Sequence, residues 1–212
     1  MTTSAGHEHR RRGRTGWICM TILATATAGI SARYFTLDSK LFLAQQRAVY
    51  LAHLTPLLFH ISGGILALAL GPWQFVPSLR HRHPALHRAL GRAYLLSALV
   101  AGIGGLLLAP EGLYPPIAPL GFVALGIALL AASALAFVAI RRGDVAAHRI
   151  WMLRSYALIF AAVTFRLWLI VLPGFGLPFD QAYRTGAWIS WPLNLLVTLP
   201  RPLARTSARP QG

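Results

Sequence analysis

Acidic residues are the scarcest component of this chain: five Asp and Glu in 212 residues, against 20 Lys and Arg. Charged residues of all kinds reach only 12%, about half of what keeps an ordinary soluble domain in water. Cys19 is the only cysteine, which excludes a disulfide scaffold and any all-cysteine zinc or iron–sulfur centre. Glu8, Asp38, Glu111, Asp144 and Asp180 all fall outside the long apolar runs. No intramembrane carboxylate is therefore on offer for proton-coupled transport. Nor does spacing supply a carboxylate pair for general acid–base hydrolysis. The phosphate-binding Walker loop, the HExxH metal helix and the GxSxG elbow are also absent.

What the chain has is apolar length. Crossing about 30 Å of hydrocarbon at about 1.5 Å per residue takes roughly 20 mostly apolar residues. Six runs qualify as candidates: Gly16 to Tyr34, Ala48 to Leu70, Gly91 to Ala109, Pro116 to Ile140, Trp151 to Leu172 and Thr185 to Leu199. The sixth is short and interrupted by Pro192, and the fifth contains Arg154 and Arg166. The expected fold is all-α, a polytopic membrane bundle of about six helices. Residues 1–15 read as a basic cytoplasmic tail, 16–200 as one transmembrane domain and 201–212 as a second basic cytoplasmic tail. The first run follows an arginine-rich segment as a signal peptide would, but five further spans make an uncleaved helix the expectation. Small residues four apart, such as Gly63 and Ala67 or Ala101 and Gly105, suit close helix–helix approach.

Arginine and lysine positions set the expected orientation. With the N-terminus inside, the inner segments hold Arg10, Arg11, Arg12, Arg14, Arg80, Arg82, Arg88, Arg92, Arg141, Arg142, Arg149, Arg154, Arg201, Arg205 and Arg209. The outer segments hold only Arg33, Lys40, Arg47 and Arg184. Both termini are therefore expected in the cytoplasm of a bacterial inner membrane, with anionic lipid headgroups against the inner face. Such a basic chain would ordinarily suggest nucleic acid. Here the charge is divided into short clusters at membrane boundaries, so no nucleic-acid partner is expected.

Histidine supplies the remaining chemistry. His53 and His60, seven apart on the second span, are expected on one helix face, separated by about 10 Å along it. His81, His83 and His87 are assigned to one inner loop and His148 to the next. Those two loops repeat a pattern, "HRALGRAY" from His87 to Tyr94 and "HRIWMLRSY" from His148 to Tyr156. The repeat predicts an inner-face site of His87, Arg88, Arg92, His148, Arg149 and Arg154 together with the two tyrosines. Two histidines there suit axial ligation of a haem b, with arginines for its propionates. Alternatively, the arginines hold lipid phosphate and the histidines only bond loop carbonyls.

Arg166 is the other unusual residue, since a central arginine costs about 2.5–3.5 kcal/mol on insertion scales. One reading has it snorkel outward to meet Asp180. The other sets it beside His60 to bind an anionic or carbonyl-bearing ligand such as a quinone head.

The strings "HISGGILALALGPWQF", "LRHRHPALHRALGRAYLL", "HRIWMLRSYALIFAAVTFRLWL" and "WISWPLNLL", spanning His60 to Leu196, resemble a bacterial family of multi-pass membrane proteins catalogued as a domain of unknown function. The resemblance implies that His60, Gly64, Gln74, Phe75, Arg80, His87, Arg88, Gly91, Arg92, His148, Arg149, Trp151, Met152, Arg154, Arg166 and Asn194 occupy motif positions. It supplies no reaction. The family pattern often continues from the last Asn to a Glu, whereas Asn194 is followed here by Leu-Leu-Val-Thr-Leu-Pro. Any site which that acid serves is altered or absent in this chain. Three functions stay open: a non-enzymatic membrane protein of assembly, sensing or lipid association, a haem- or quinone-binding redox protein, and a passive small-solute transporter.

Overall fold

The computed structural model describes residues 3–199, with side chains from residue 13. Arg201, Arg205 and Arg209, and the side chains of Arg10, Arg11 and Arg12, lie outside that description. Among the described residues the chain is helical and has no strand. Its helices are α1 (Thr3–Ala32), α2 (Arg47–Ala52), α3 (Leu54–Gln74), α4 (Pro77–Arg82), α5 (Pro84–Leu108), α6 (Ile117–Arg141), α7 (Val145–Ile159), α8 (Ala161–Gly174) and α9 (Phe179–Leu196). Five stretches are long and apolar enough to cross a membrane: Gly13–Thr36, Leu54–Gln74, Pro84–Glu111, Ile117–Arg141 and Val145–Gly174. The last of these is α7 and α8 together. As the sixth helix, α9 has 18 residues, includes Pro192 and packs on α6, α7 and α8. The protein is a multi-pass helical bundle, close to the six spans expected.

Where the helix boundaries differ from expectation, local chemistry explains them. The second span does not begin at Ala48. Pro56, in the first turn of α3, has no N–H to give Ala52 and its ring would crowd that carbonyl. The helix therefore stops at His53, whose φ of −123° and ψ of 44° turn the chain. His53 and His60 consequently do not share one helix. At the other end, α5 starts as early as Pro84, a residue pre-set for the first helical position. Helix α7 starts after Asp144, whose carboxylate accepts from the Ala147 N–H at 2.9 Å and caps the helix. His87 and His148 thus stand in opening helical turns, not in loops.

The tightest pairing is between α3 and α5. An added Cβ on Gly63 would run into the Ala101 backbone nitrogen and come within 2.6 Å of the Ser97 carbonyl. One on Gly104 would come within 2.8 Å of the Pro56 carbonyl. Only hydrogens fit between these backbones, as the small-residue spacing anticipated. Helix α1 joins the bundle through Trp17, whose indole donates to the Pro72 carbonyl at 2.9 Å. The core is built largely of alanine (Ala24, Ala67, Ala98, Ala132, Ala136) around the fully buried Tyr94. The Tyr94 hydroxyl shares a hydrogen bond with Ser155 at 2.9 Å, and Ser155 with Ser133 at the same distance. This chain ties α5, α7 and α6 together with every member satisfied, which makes a buried polar group tolerable. Asn194 of α9 bridges α7 and α8, donating to the Ala157 carbonyl at 3.0 Å and to Thr164 Oγ1 at 3.1 Å.

Candidate ligand-binding site

The helices leave a cavity of about 490 Å³ at the end of the bundle opposite the α3–α5 and α6–α7 connections. That is within the roughly 300–1,000 Å³ range of small-molecule sites. Much of its wall is apolar, from Leu57, Ile61, Leu68, Leu129, Ile159 and Phe165. The segment joining α1 to α3 closes one side with Tyr34, Gln46 and Tyr50. Three basic side chains line this space, His60 on α3, Arg166 on α8 and Arg33 just after α1, together with one carboxylate, Glu111, just after α5.

His60 is fixed by its Nδ1, which lies 2.9 Å from the Ala101 carbonyl of α5. A carbonyl only accepts, so Nδ1 carries the proton and a neutral imidazole keeps a free lone pair on Nε2. Arg166 donates from Nη1 to the Ala162 carbonyl at 2.6 Å and from Nη2 to Ser31 Oγ at 3.2 Å. Those bonds orient the guanidinium without neutralising it. Asp180 does not meet it, because that carboxylate pairs with Arg184, one turn along α9, at 3.5 Å. The ion pair expected between Arg166 and Asp180 is not made; Arg166 is exposed and lines the cavity instead.

Sequence reasoning missed the polar groups that complete the wall. Gln46 accepts a short hydrogen bond from the Tyr50 hydroxyl and donates from Nε2 to the Tyr183 hydroxyl at 3.4 Å. Burial, with the Tyr34 and Tyr183 phenols nearby, pushes Tyr50 above the ordinary tyrosine range, so it remains a neutral phenol. Ser190, only 1% exposed, lines the same cavity and its Oγ has no hydrogen-bond partner. Gln46 and Tyr50 sit where the second span was expected to begin, and nothing in their local pattern marks them. Gly64 was visible as a motif residue. It lies one turn from His60 on the cavity wall, and a Cβ added there meets nothing within 4 Å.

At the arginine-rich end, His87 stands in the opening turn of α5 and His148 in that of α7. His148 Nδ1 bonds the Ala136 carbonyl of α6 at 2.8 Å. The tyrosines of the repeated pattern do not join them. Tyr94 and Tyr156 turn into the core, ring centroids 6.3 Å apart. Of the arginines, Arg88, Arg92 and Arg149 are exposed, while Arg154 stacks over the Trp151 ring at 4.6 Å. Among the described residues no three His, Cys, Asp or Glu side chains gather as a metal site.

Five stretches long and apolar enough to cross a membrane, packed as one bundle, are the make-up of an integral, multi-pass membrane protein. Residues 57–199 match the family described as "Predicted membrane protein (DUF2306)", and the chain belongs to it. No curated protein and no solved structure matches the chain.

Proposed function

We propose that the protein binds an amphiphilic small molecule in the His60–Arg166 cavity, taking an anionic or carbonyl-bearing head of the quinone type. The observation that carries this reading is the convergence of two basic side chains, from α3 and α8, on one largely apolar space. Ring-shaped apolar ligands gain by burial against Leu57, Ile61 and Phe165, at about 25 cal/mol per Å² of apolar surface. Arg166 donates to a carbonyl or anionic oxygen, and the free Nε2 of His60 accepts from a hydroxyl. A quinone and its reduced form present those two groups in turn. The protein purified in a mild neutral detergent should retain isoprenoid quinone, found by mass spectrometry of its organic extract. It should also bind a short-chain quinone added to extracted protein. An extract without quinone, together with no binding of the added compound, would refute the reading.

For orientation, we propose both termini on the cytoplasmic side of a bacterial inner membrane, from the arginine and lysine distribution. The cavity then belongs to the outer half of the bilayer. Reporter fusions after Arg47, Glu111 and Asp180 should read external, and those after His81 and Gly143 internal. Reversal at two of the five sites would overturn the assignment.

A further inference from the structure

The opposite, arginine-rich end holds a second group of polar side chains, three of which carry a shielded polar atom with no hydrogen-bond partner among the described residues. Gln74, the last residue of α3, is 7% exposed, and its Nε2 has no hydrogen-bond partner. Its Oε1 lies against Gly91 of α5, 3.2 Å from where a Cβ would stand, so the amide reaches across to that helix. His87 is one turn before Gly91 and shares its face, and His87 Nδ1 is likewise shielded and unpartnered. Arg80 belongs to α4, which packs on α5, and its Nε is shielded with no partner among the described residues. Arg88 is the next residue, and His148 opens α7 at the same end of the bundle.

Two shielded N–H donors and one shielded imidazole nitrogen at one place are costly to leave unmatched, at about 1–3 kcal/mol for each such group. The cations around them repel one another. The only acid between Glu111 and Asp180 is Asp144, and its carboxylate is engaged in capping α7. One kind of ligand answers all of this: an oxygen-rich anion. We infer that Gln74, Arg80 and His87, with His148 at the edge, form an oxyanion site that takes a phosphate group, carried by a phospholipid headgroup or by a soluble phosphate compound. A phosphate offers acceptors to the amide and the guanidinium simultaneously, and its charge offsets the mutual repulsion of Arg80, Arg88 and the histidines. Among the described side chains, no carboxylate other than the capping Asp144 stands at this end to do the same work. The site lies where α3 leaves the bundle and α4 begins, the level at which a span meets the headgroup region.

The test uses the full chain in neutral detergent, titrated separately with inorganic phosphate and with short-chain phosphatidylglycerol, binding being read by calorimetry. Short-chain phosphatidylcholine accompanies the second titration. Arg80→Gln keeps much of the side-chain stem while removing the charge, and Gln74→Leu removes the amide at similar volume. Each should weaken binding at least tenfold. Arg141→Gln, an exposed arginine at the same end, should leave it unchanged. Binding of the lipid but not of inorganic phosphate assigns the site to a headgroup, and the reverse assigns it to a soluble phosphate compound. If one variant folds poorly, the other decides. Absence of binding by either probe, or equal affinities in wild type and both variants, overturns the proposal. So does a Soret band in the purified protein that His87→Asn abolishes, which gives the histidines to a haem. Quinone retention is read separately, so failure at this end leaves the cavity reading untouched.

Discussion

Gly64→Leu should abolish quinone retention while leaving the yield of folded protein near that of the wild type. A side chain grown from Gly64 enters open space on the cavity wall, one turn from His60, and meets no atom within 4 Å at its first carbon. Leucine would then occupy the position where a ligand ring packs, and steric exclusion of this kind removes binding without touching either polar group. The neighbouring residue supplies the contrast. Gly63→Leu places its Cβ against the Ala101 backbone nitrogen, where no side chain can yield. Overpacking costs about 1–3 kcal/mol even when side chains can shift, and here α3 and α5 would have to separate. The expected result is a severalfold loss of folded protein on size-exclusion chromatography in detergent. Ligand content per folded molecule, measured by mass spectrometry, distinguishes the two. A Gly64→Leu protein that still carries stoichiometric quinone would place the ligand elsewhere.

The contrast also shows what was legible in the sequence. Hydrophobic length located five spans and the shorter α9, because the bilayer imposes a minimum run of apolar residues whatever the tertiary packing. It did not locate helix starts. Pro56 ends the run that composition would extend back to Ala48, and Asp144 draws α7 earlier than hydropathy does. Both are local stereochemical effects that an apolar average overlooks. Gly63 and Gly64 look alike in sequence, yet one meets a backbone and the other a cavity. That distinction depends on which helix packs alongside. Arg166 stood out by cost alone, and its setting beside the His60 cavity was one of two readings. In the structure Arg166 lines the His60 cavity, and Asp180 lies against Arg184. Gln46, Tyr50 and Ser190 were out of reach, because they are polar residues of ordinary type gathered only by folding. At the other end the tyrosines of the repeat were misassigned. Helical rotation carries Tyr94 and Tyr156 inward, where they satisfy the core rather than a ligand.

Arg166→Leu should weaken quinone binding about tenfold to a hundredfold without lowering the yield of folded protein. The magnitude follows from removing a charged donor, worth about 1.5–3 kcal/mol to its acceptor. Yield should hold because the change also removes the roughly 2.5–3.5 kcal/mol cost of setting an arginine within a span. The bonds lost with it run to Ala162, a carbonyl in the same helix, and to Ser31, and neither ties a carboxylate. Arg166→Lys separates charge from geometry. A lysine keeps the positive charge but not the planar fork that bonds Ala162 and Ser31 while still facing the cavity. Affinity between those of wild type and the leucine variant is therefore expected, measured as equilibrium binding of a short-chain quinone in detergent. A His60→Asn variant should lose less for the oxidised ligand, which offers a carbonyl to Arg166, than for the reduced one, whose hydroxyl needs an acceptor. If Arg166→Leu lowers folded yield and ligand content in the same proportion, the arginine serves the bundle by its bonds to Ala162 and Ser31, and the cavity reading loses its principal donor.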